Sequence, residues 1–100
     1  GLAGLEEGKV IKIGGVISEL NKRYTARGDL MANMSLEDLE NSVEVIIFTK
    51  VMSQVGHKLN NDQPVIVTGR IDRRDEALKI IGKITHMTMN NLLLFIYDLE

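Results

Sequence analysis

The most reactive side chains form no catalytic or metal-binding pattern in this sequence. His57 and His86 are far apart and there is no cysteine, so neither a Ser-His-acid arrangement nor a His-x-x-x-His spacing occurs. Glu37–Asp38 is an acidic pair, but neighbours in an extended strand point to opposite faces. Gly14–Gly15 lacks the following helix that a phosphate-binding loop requires. We therefore expect no catalytic residue, no metal ligand and no cofactor.

Contact with phosphate groups is the chemistry that the basic residues of the first third of the chain suggest. Lys22, Arg23 and Arg27 fall within six residues, with Asp29 as the acid beside them. The ring of Tyr24 lies between these charges, where a nucleotide base could stack on it or where it could fold back over neighbouring residues. An ordinary solvated turn is the alternative for this basic cluster.

A second basic group lies further along the chain and is mixed with acids. Arg70, Arg73 and Arg74 alternate with Asp72 and the pair Asp75–Glu76, which gives three positive and three negative charges within seven residues. This mixture is typical of a salt-bridged surface hairpin, and phosphate contact is the alternative. Arg70 is the best placed of the three, because strand alternation puts it on the outer face of its strand.

The elements that must position these residues can be read from the hydrophobic pattern. Alternation with a period of two predicts strands, a repeat of four predicts one short helix, and turn residues separate them. The predicted strands are residues 9–18, 30–38, 42–48, 65–72 and 77–84, and the predicted helix is 50–59. We expect the first strand to be long, with a bulge or sharp bend at Gly14–Gly15. Pro64 is acceptable only at the start of the fourth strand.

Alternation also predicts which side chains form the core. The inward residues are Leu30, Ala32, Met34, Leu36, Val43, Val45, Ile47, Val65, Val67, Ile71, Leu78, Ile80 and Ile84. On the third strand this leaves Ile46 and Phe48 facing outward beside Glu44. An exposed Ile-Phe pair is unusual on a solvated strand, so we expect it to contact a ligand, a neighbouring domain or the tail of the chain.

Five antiparallel strands with a short helix between the third and fourth describe the oligonucleotide/oligosaccharide-binding (OB) fold. We therefore predict an all-β chain of small α content, a five-stranded Greek-key OB barrel over residues 1–87. Residues 88–100 are predicted to be a C-terminal extension or a truncated linker. In this fold the ligand lies on strands two and three, flanked by the loops between strands one and two and between strands four and five.

Composition limits the class of protein. The chain has 100 residues, 44% of them hydrophobic and 26% charged, which fits one small globular domain. The formal net charge of −2 argues against a strongly basic nucleic-acid binder unless one face is basic. The longest apolar run, 92–97, is too short to span a bilayer, and no signal peptide is visible. We expect a cytoplasmic location and, because the chain begins with Gly1, a segment of a longer protein.

Three blocks carry a family resemblance: KIGGVIS, RGDLMANMSLEDLENSVEVIIF and VTGRIDRRDEALKI. In this order and spacing they resemble the OB domain of the bacterial DNA polymerase III alpha subunit, over residues 5–85. The resemblance implies an accessory module near the template strand, with the polymerase chemistry on another domain. Relatives often carry an aromatic residue on the exposed face of strand two, where this chain has Asn33. Few aromatic residues remain for stacking, so we expect weak binding.

The resulting prediction is a sequence-independent single-stranded DNA-binding module that also contacts other domains of a polymerase chain and has no membrane or small-molecule partner. The predicted nucleic-acid-binding residues are Lys22, Arg23, Tyr24, Arg27, Asn33, Ile46, Phe48, Arg70, Arg73, Arg74 and Lys79. An anticodon-binding OB domain of a class II aminoacyl-tRNA synthetase is one alternative, which Asn33 and Glu44 disfavour. A protein-interaction OB domain with little nucleic-acid affinity is the other.

Overall fold

The computed structural model describes residues 6–39, 41–74, 78–89 and 92–95. Its elements are β1 Val10–Tyr24, β2 Leu30–Glu37, β3 Ser42–Ile47, α1 Thr49–Val55, a 3-10 turn Gly56–Lys58, β4 Pro64–Asp72, β5 Lys79–Met89 and β6 Leu92–Phe95. The predicted order of five strands with a helix after the third is confirmed. The helix is shorter than predicted, since it ends at Val55 and continues as the 3-10 turn.

The first five strands close into a barrel in the order β3-β2-β1-β4-β5, and β3 then pairs with β5. This closing pair is parallel and joins Glu44 to Lys79, Val45 to Ile80 and Ile46 to Ile81. Every other strand pairing among the described residues is antiparallel. The predicted OB barrel is therefore confirmed, with one parallel contact at its seam. Beyond the seam β5 continues to Met89 and pairs with β6.

The core occupies the barrel interior at the alternate positions that the sequence predicts. Its buried hydrophobic residues are Ile17, Ala32, Met34, Leu36, Val43, Val45, Ile47, Met52, Val55, Leu59, Val65, Val67, Ile71, Ile80 and Ile84, with Leu30 and Leu78 partly buried against them. Met52, Val55 and Leu59 close one end of the barrel from the helix and the turn that follows it. The strand register predicted from alternation is confirmed by this burial pattern.

The irregularity of β1 does not lie where the glycines predicted it. Pairing with β4 is continuous from Val10 to Val16, through Gly14 and Gly15. The register shift lies between Ser18 and Asn21 instead, and Glu19 between them adopts a positive φ of 49°. A Cβ atom at Gly15 would lie 2.8 Å from the carbonyl oxygen of Glu37, so close approach to the end of β2 explains this glycine.

Among the described residues, no group of three or more histidine, cysteine, aspartate or glutamate side chains is arranged to hold a metal ion. No helix in the described part of the chain has the length and apolar character needed to cross a bilayer.

Candidate nucleic-acid interface

The ligand side expected for this fold is the outer surface of β2, β3 and the C-terminal half of β1. Antiparallel partners point to the same side of a sheet, so Asn21, Asn33 and Ile46 form one row across these three strands. We call this surface the front face. Its outward residues are Glu19, Asn21, Arg23, Met31, Asn33, Ser35, Glu37, Ser42, Glu44 and Ile46.

Strand alternation divides the predicted basic cluster. Because β1 continues to Tyr24 and does not end at residue 18 as predicted, Lys22 and Arg23 lie on the strand and only Arg27 lies in the turn. Arg23 pairs with Met31 and shares the front face. Lys22 and Tyr24 pair with Ala32 and Leu30, which places them on the opposite side of the sheet. The structure therefore brings Arg23 toward Asn33 and Ile46 and separates Lys22 and Tyr24 from them.

The turn that carries Arg27 is held by its own backbone and one hydroxyl. Thr25 N–H donates to the Asp29 carbonyl oxygen at 2.8 Å, and Asp29 N–H donates to Thr25 Oγ1 at 3.1 Å. Gly28 has a φ of +89°, which an L side chain rarely adopts. Arg27 is exposed on this turn, next to the end of the front face that holds Arg23.

Ile46 on β3 and Phe48 just after it are the two outward apolar residues predicted here, and they differ in exposure. Ile46 is partly buried between Asn33 on β2 and Ile81 on β5. Phe48 is 48% exposed and lies just before α1. Its carbonyl oxygen accepts the N–H groups of Val51 and Met52 at 3.1 and 3.0 Å, which fixes the backbone that presents the ring. Phe48 is therefore the exposed aromatic side chain that the first turn of α1 holds beside the front face.

The front face contains a depression of about 390 Å³ on β2 and β3. It is lined by Glu19, Asn33, Met34, Ser35, Ser42, Val43 and Glu44. Two carboxylates and several hydroxyl or amide groups make this depression polar and acidic, which disfavours phosphate at its centre. Glu19 is not among the predicted site residues, because its position depends on the irregularity of β1 and a positive φ at a glutamate has no sequence signal.

The second basic group contains an ion pair. Arg74 Nη2 lies 2.6 Å from Asp72 Oδ2, as the salt-bridged interpretation predicted. The side-chain and backbone hydrogen bonds from Arg74 lower the pKa of Asp72 from 3.8 to about 2. The backbone N–H of Arg73 donates to the Glu7 carboxylate. The acids of Asp75–Glu76 lie outside the described residues.

Arg70 and Lys79 both neighbour Asp72, since Arg70 is two residues before it on β4 and Lys79 pairs with it on β5. Lys79 is placed opposite Glu44 on β3 and opposite Asp72 on β4, so two acids neighbour it. Arg70 is exposed on the outer face of β4, between Val10 and Ile81. The prediction that Arg70 faces away from the core is confirmed by this register.

Comparison with known proteins agrees with the architecture. The model of a family described as an OB-fold nucleic acid binding domain matches residues 11–87. DNA polymerase III subunit alpha of Saccharopolyspora erythraea is 38% identical over 72 residues, and that of Mycobacterium tuberculosis is 30% identical over 72 residues. The protein of the same name from Escherichia coli O157:H7 is 31% identical over 70 residues.

These matches cover 70 to 72% of this chain and 6% of each relative, so the chain spans a small part of the polymerase subunits that it resembles. Among solved structures, a mitochondrial single-stranded DNA binding protein of S. cerevisiae superposes with a TM-score of 0.60. That match covers 78% of this chain and 90% of the yeast chain at 15% sequence identity, which shows a shared fold.

Proposed function

The chain belongs to the OB-fold nucleic acid binding domain family, and on this basis we propose that it binds single-stranded DNA without sequence preference. We propose further that it serves as an accessory domain of a bacterial replicative polymerase, next to other domains of that chain. The similarity to DNA polymerase III subunit alpha supports this role.

One geometric observation carries the proposal. Arg23 lies opposite Met31, and Ile47 lies opposite Ala32, so Phe48 follows β3 at the same end of the front face as Arg23. A guanidinium for phosphate and an exposed ring for stacking are thus placed together, with Arg27 on the adjoining turn. These are the two kinds of group that sequence-independent single-strand binders combine.

Binding is expected to be weak and dependent on salt. Phe48 is the one half-exposed ring beside the front face among the described residues, and the outward residues of this face hold three glutamates. Each stacked base contributes about 1 to 3 kcal/mol, so one ring and few phosphate contacts correspond to dissociation constants of about 10 μM to 1 mM.

The test is a titration with oligo-dT followed by two-dimensional NMR. Arg23→Glu with Arg27→Glu should abolish binding, because two attractive charges become repulsive. Both residues are exposed, so the free energy of unfolding should change by no more than about 0.5 kcal/mol. The melting temperature should therefore stay nearly the same. The matched control is Lys50→Glu with Lys58→Glu, which reverses two exposed lysines on α1 and the 3-10 turn. Unchanged binding in the arginine variant contradicts the proposal.

A protein-interaction domain is the second candidate, and the acidic depression favours it. Glu19 and Glu44 lie where a nucleic-acid ligand of this fold would pass, and carboxylates there suit a basic protein segment. This candidate predicts no chemical-shift changes with oligo-dT at low salt. An anticodon-binding role predicts instead a preference for RNA of one sequence, so parallel titrations with oligo-dT, oligo-U and mixed RNA separate the three functions.

A further inference from the structure

The outer surface on the other side of the barrel has a different charge from the front face. It is formed by the N-terminal half of β1, by β4 and by the first residues of β5, which pair in continuous rows. Val10, Arg70 and Ile81 form one row, and Lys12, Thr68 and Lys83 form the next. We call this surface the back face.

The outward residues of the back face are Val10, Lys12, Gly14, Val16, Pro64, Ile66, Thr68, Arg70, Asp72, Lys79, Ile81 and Lys83. Four of them are basic and one, Asp72, is acidic, with its carboxylate in the ion pair with Arg74. The front face has Arg23 as its basic outward residue against three glutamates. The net charge of −2 therefore hides a basic surface that lies outside the strands expected to bind the ligand.

Three of these cations are spaced so that one extended polyanion can reach them. Lys12 and Lys83 lie on either side of Thr68, and neighbouring strands are about 4.8 Å apart, so their backbones are separated by about 10 Å. Arg70 is two residues from Thr68 on the same face of β4, about 7 Å along the strand. Arg70 and Lys12 are exposed and Lys83 is half-buried.

The front and back faces meet at the seam where β3 pairs with β5. Asn33, Ile46 and Ile81 follow one another in register, and Arg70 is the next residue in that row. The row crosses from the polar centre of the front face, over two partly buried isoleucines, to the first cation of the back face. A single DNA strand bound across the front face can follow this row of side chains onto the back face, and no side chain in the row is acidic.

We propose that the back face, through Lys12, Arg70 and Lys83, is a second contact surface for the sugar–phosphate backbone of single-stranded DNA that crosses the seam from the front face. The inference rests on the proposed function and extends the binding track to the opposite wall of the barrel. It follows that short oligonucleotides occupy the front face alone, whereas longer ones also contact the back face.

The experiment compares oligo-dT of 6 and 20 nucleotides over a range of salt concentrations. Lys12→Gln with Lys83→Gln should leave the affinity for the 6-mer unchanged and weaken the 20-mer. For single strands each phosphate contact contributes about 0.7 to the slope of log K against log salt, so the slope for the 20-mer should decrease by about 1.4. Arg70→Gln should act in the same direction. Lys50→Gln with Lys58→Gln removes the same charge elsewhere and should change neither slope.

The outcomes separate the inference from the function on which it rests. If Arg23→Glu with Arg27→Glu weakens both oligonucleotides and the back-face variant weakens only the 20-mer, both proposals hold. If the back-face variant binds the 20-mer with the wild-type slope, the back face does not contact DNA and this inference is overturned, while the front-face function stands. If the wild-type chain binds neither oligonucleotide, the function fails and the inference with it. Melting curves establish that each variant is folded, and the single variants Lys12→Gln and Lys83→Gln replace the double variant if it is not.

Discussion

The front and back faces of the barrel differ in charge although they enclose the same core. Outward residues of the front face carry one positive and three negative charges, whereas those of the back face carry four positive charges and one negative charge. The two faces share β1, which contributes Arg23 near one end and Lys12 near the other. The difference shows that the expected ligand strands of a fold need not be its most basic surface. Net charge averages over both faces and conceals this division.

The faces also differ in how their strands are shaped. On the front side β1 has an extra residue at Glu19, and this irregularity brings a carboxylate into the depression. On the back side Gly69 and Gly82 face each other across β4 and β5. A Cβ atom at Gly69 would lie 2.5 Å from the Ile81 carbonyl oxygen. The backbones of β4 and β5 are therefore too close at this position for any residue larger than glycine.

The largest expected effect comes from the core, where residues behind the front face and behind the back face should contribute equally to stability. Ile47 on β3 and Ile71 on β4 are both fully buried, one behind each face. Replacing either with alanine should destabilise the barrel by about 2 to 5 kcal/mol, through lost burial and the cavity left behind. Urea denaturation measures both. Similar losses indicate one cooperative core, and a loss confined to one variant would mean that the two walls unfold separately.

The next effect is specific to the back wall. Gly69→Ala should destabilise by about 1 to 3 kcal/mol, because the new methyl group meets backbone atoms that cannot rotate away. Gly14→Ala is the matched control on the neighbouring strand, since a Cβ atom there has its nearest contacts at 3.8 Å. This control should be neutral or slightly stabilising. Equal thermal shifts in the two variants would show that the close approach of β4 and β5 is not needed for stability.

Local pattern predicted much of this architecture. Period-two alternation from Leu30 to Leu36 and from Val43 to Ile47 placed the buried residues correctly, because one face of each strand must enter the core. Pro64 and the charged segment after Asp72 placed the start and end of β4. These features depend on neighbours in the sequence, and for that reason the sequence alone was sufficient.

The arrangement of the site depended on contacts between distant residues, which the sequence pattern does not record. Arg23 lies on the opposite side of the sheet from Lys22 and Tyr24 because β1 continues to Tyr24. The sequence pattern does not show that β1 extends this far. Glu19 enters the depression only because of the irregularity after Ser18. The basic row of Lys12, Thr68 and Lys83 joins three strands that are far apart in the chain.

A smaller effect is expected from substitutions that reduce the charge difference between the two faces. Glu19→Lys with Glu44→Lys makes the depression basic, and we expect tighter oligo-dT binding at low salt with a salt slope larger by about 1.4 for two added phosphate contacts. Fluorescence anisotropy measured at several salt concentrations gives both values. The same substitutions at Glu6 and Asp62, which are exposed elsewhere, serve as the control. Unchanged affinity would mean that the DNA does not pass over the depression.

The smallest expected effect concerns the ion pair between Arg74 and Asp72 at the end of β4. The hydrogen bonds from Arg74 lower the pKa of Asp72 from 3.8 to about 2, so the folded state binds this proton less readily than the unfolded state. The pair therefore stabilises the fold above about pH 4, and this contribution is lost as the pH falls from about 4 to about 2. Because the Arg74 side chain is 69% exposed, solvent screening keeps the contribution small.

Asp72→Asn should therefore lower the urea midpoint at neutral pH by a small amount, and the difference from wild type should shrink as the pH falls through that window. Arg74→Gln should remove only part of this pH dependence, because the backbone N–H of residue 74 still donates to Asp72 Oδ1 at 3.0 Å. The double variant should behave like Asp72→Asn, which already removes the titrating carboxylate. Midpoints measured at several pH values test this. A difference that stays constant from pH 7 to pH 2 would mean that the ion pair with Arg74 does not set the pKa of Asp72.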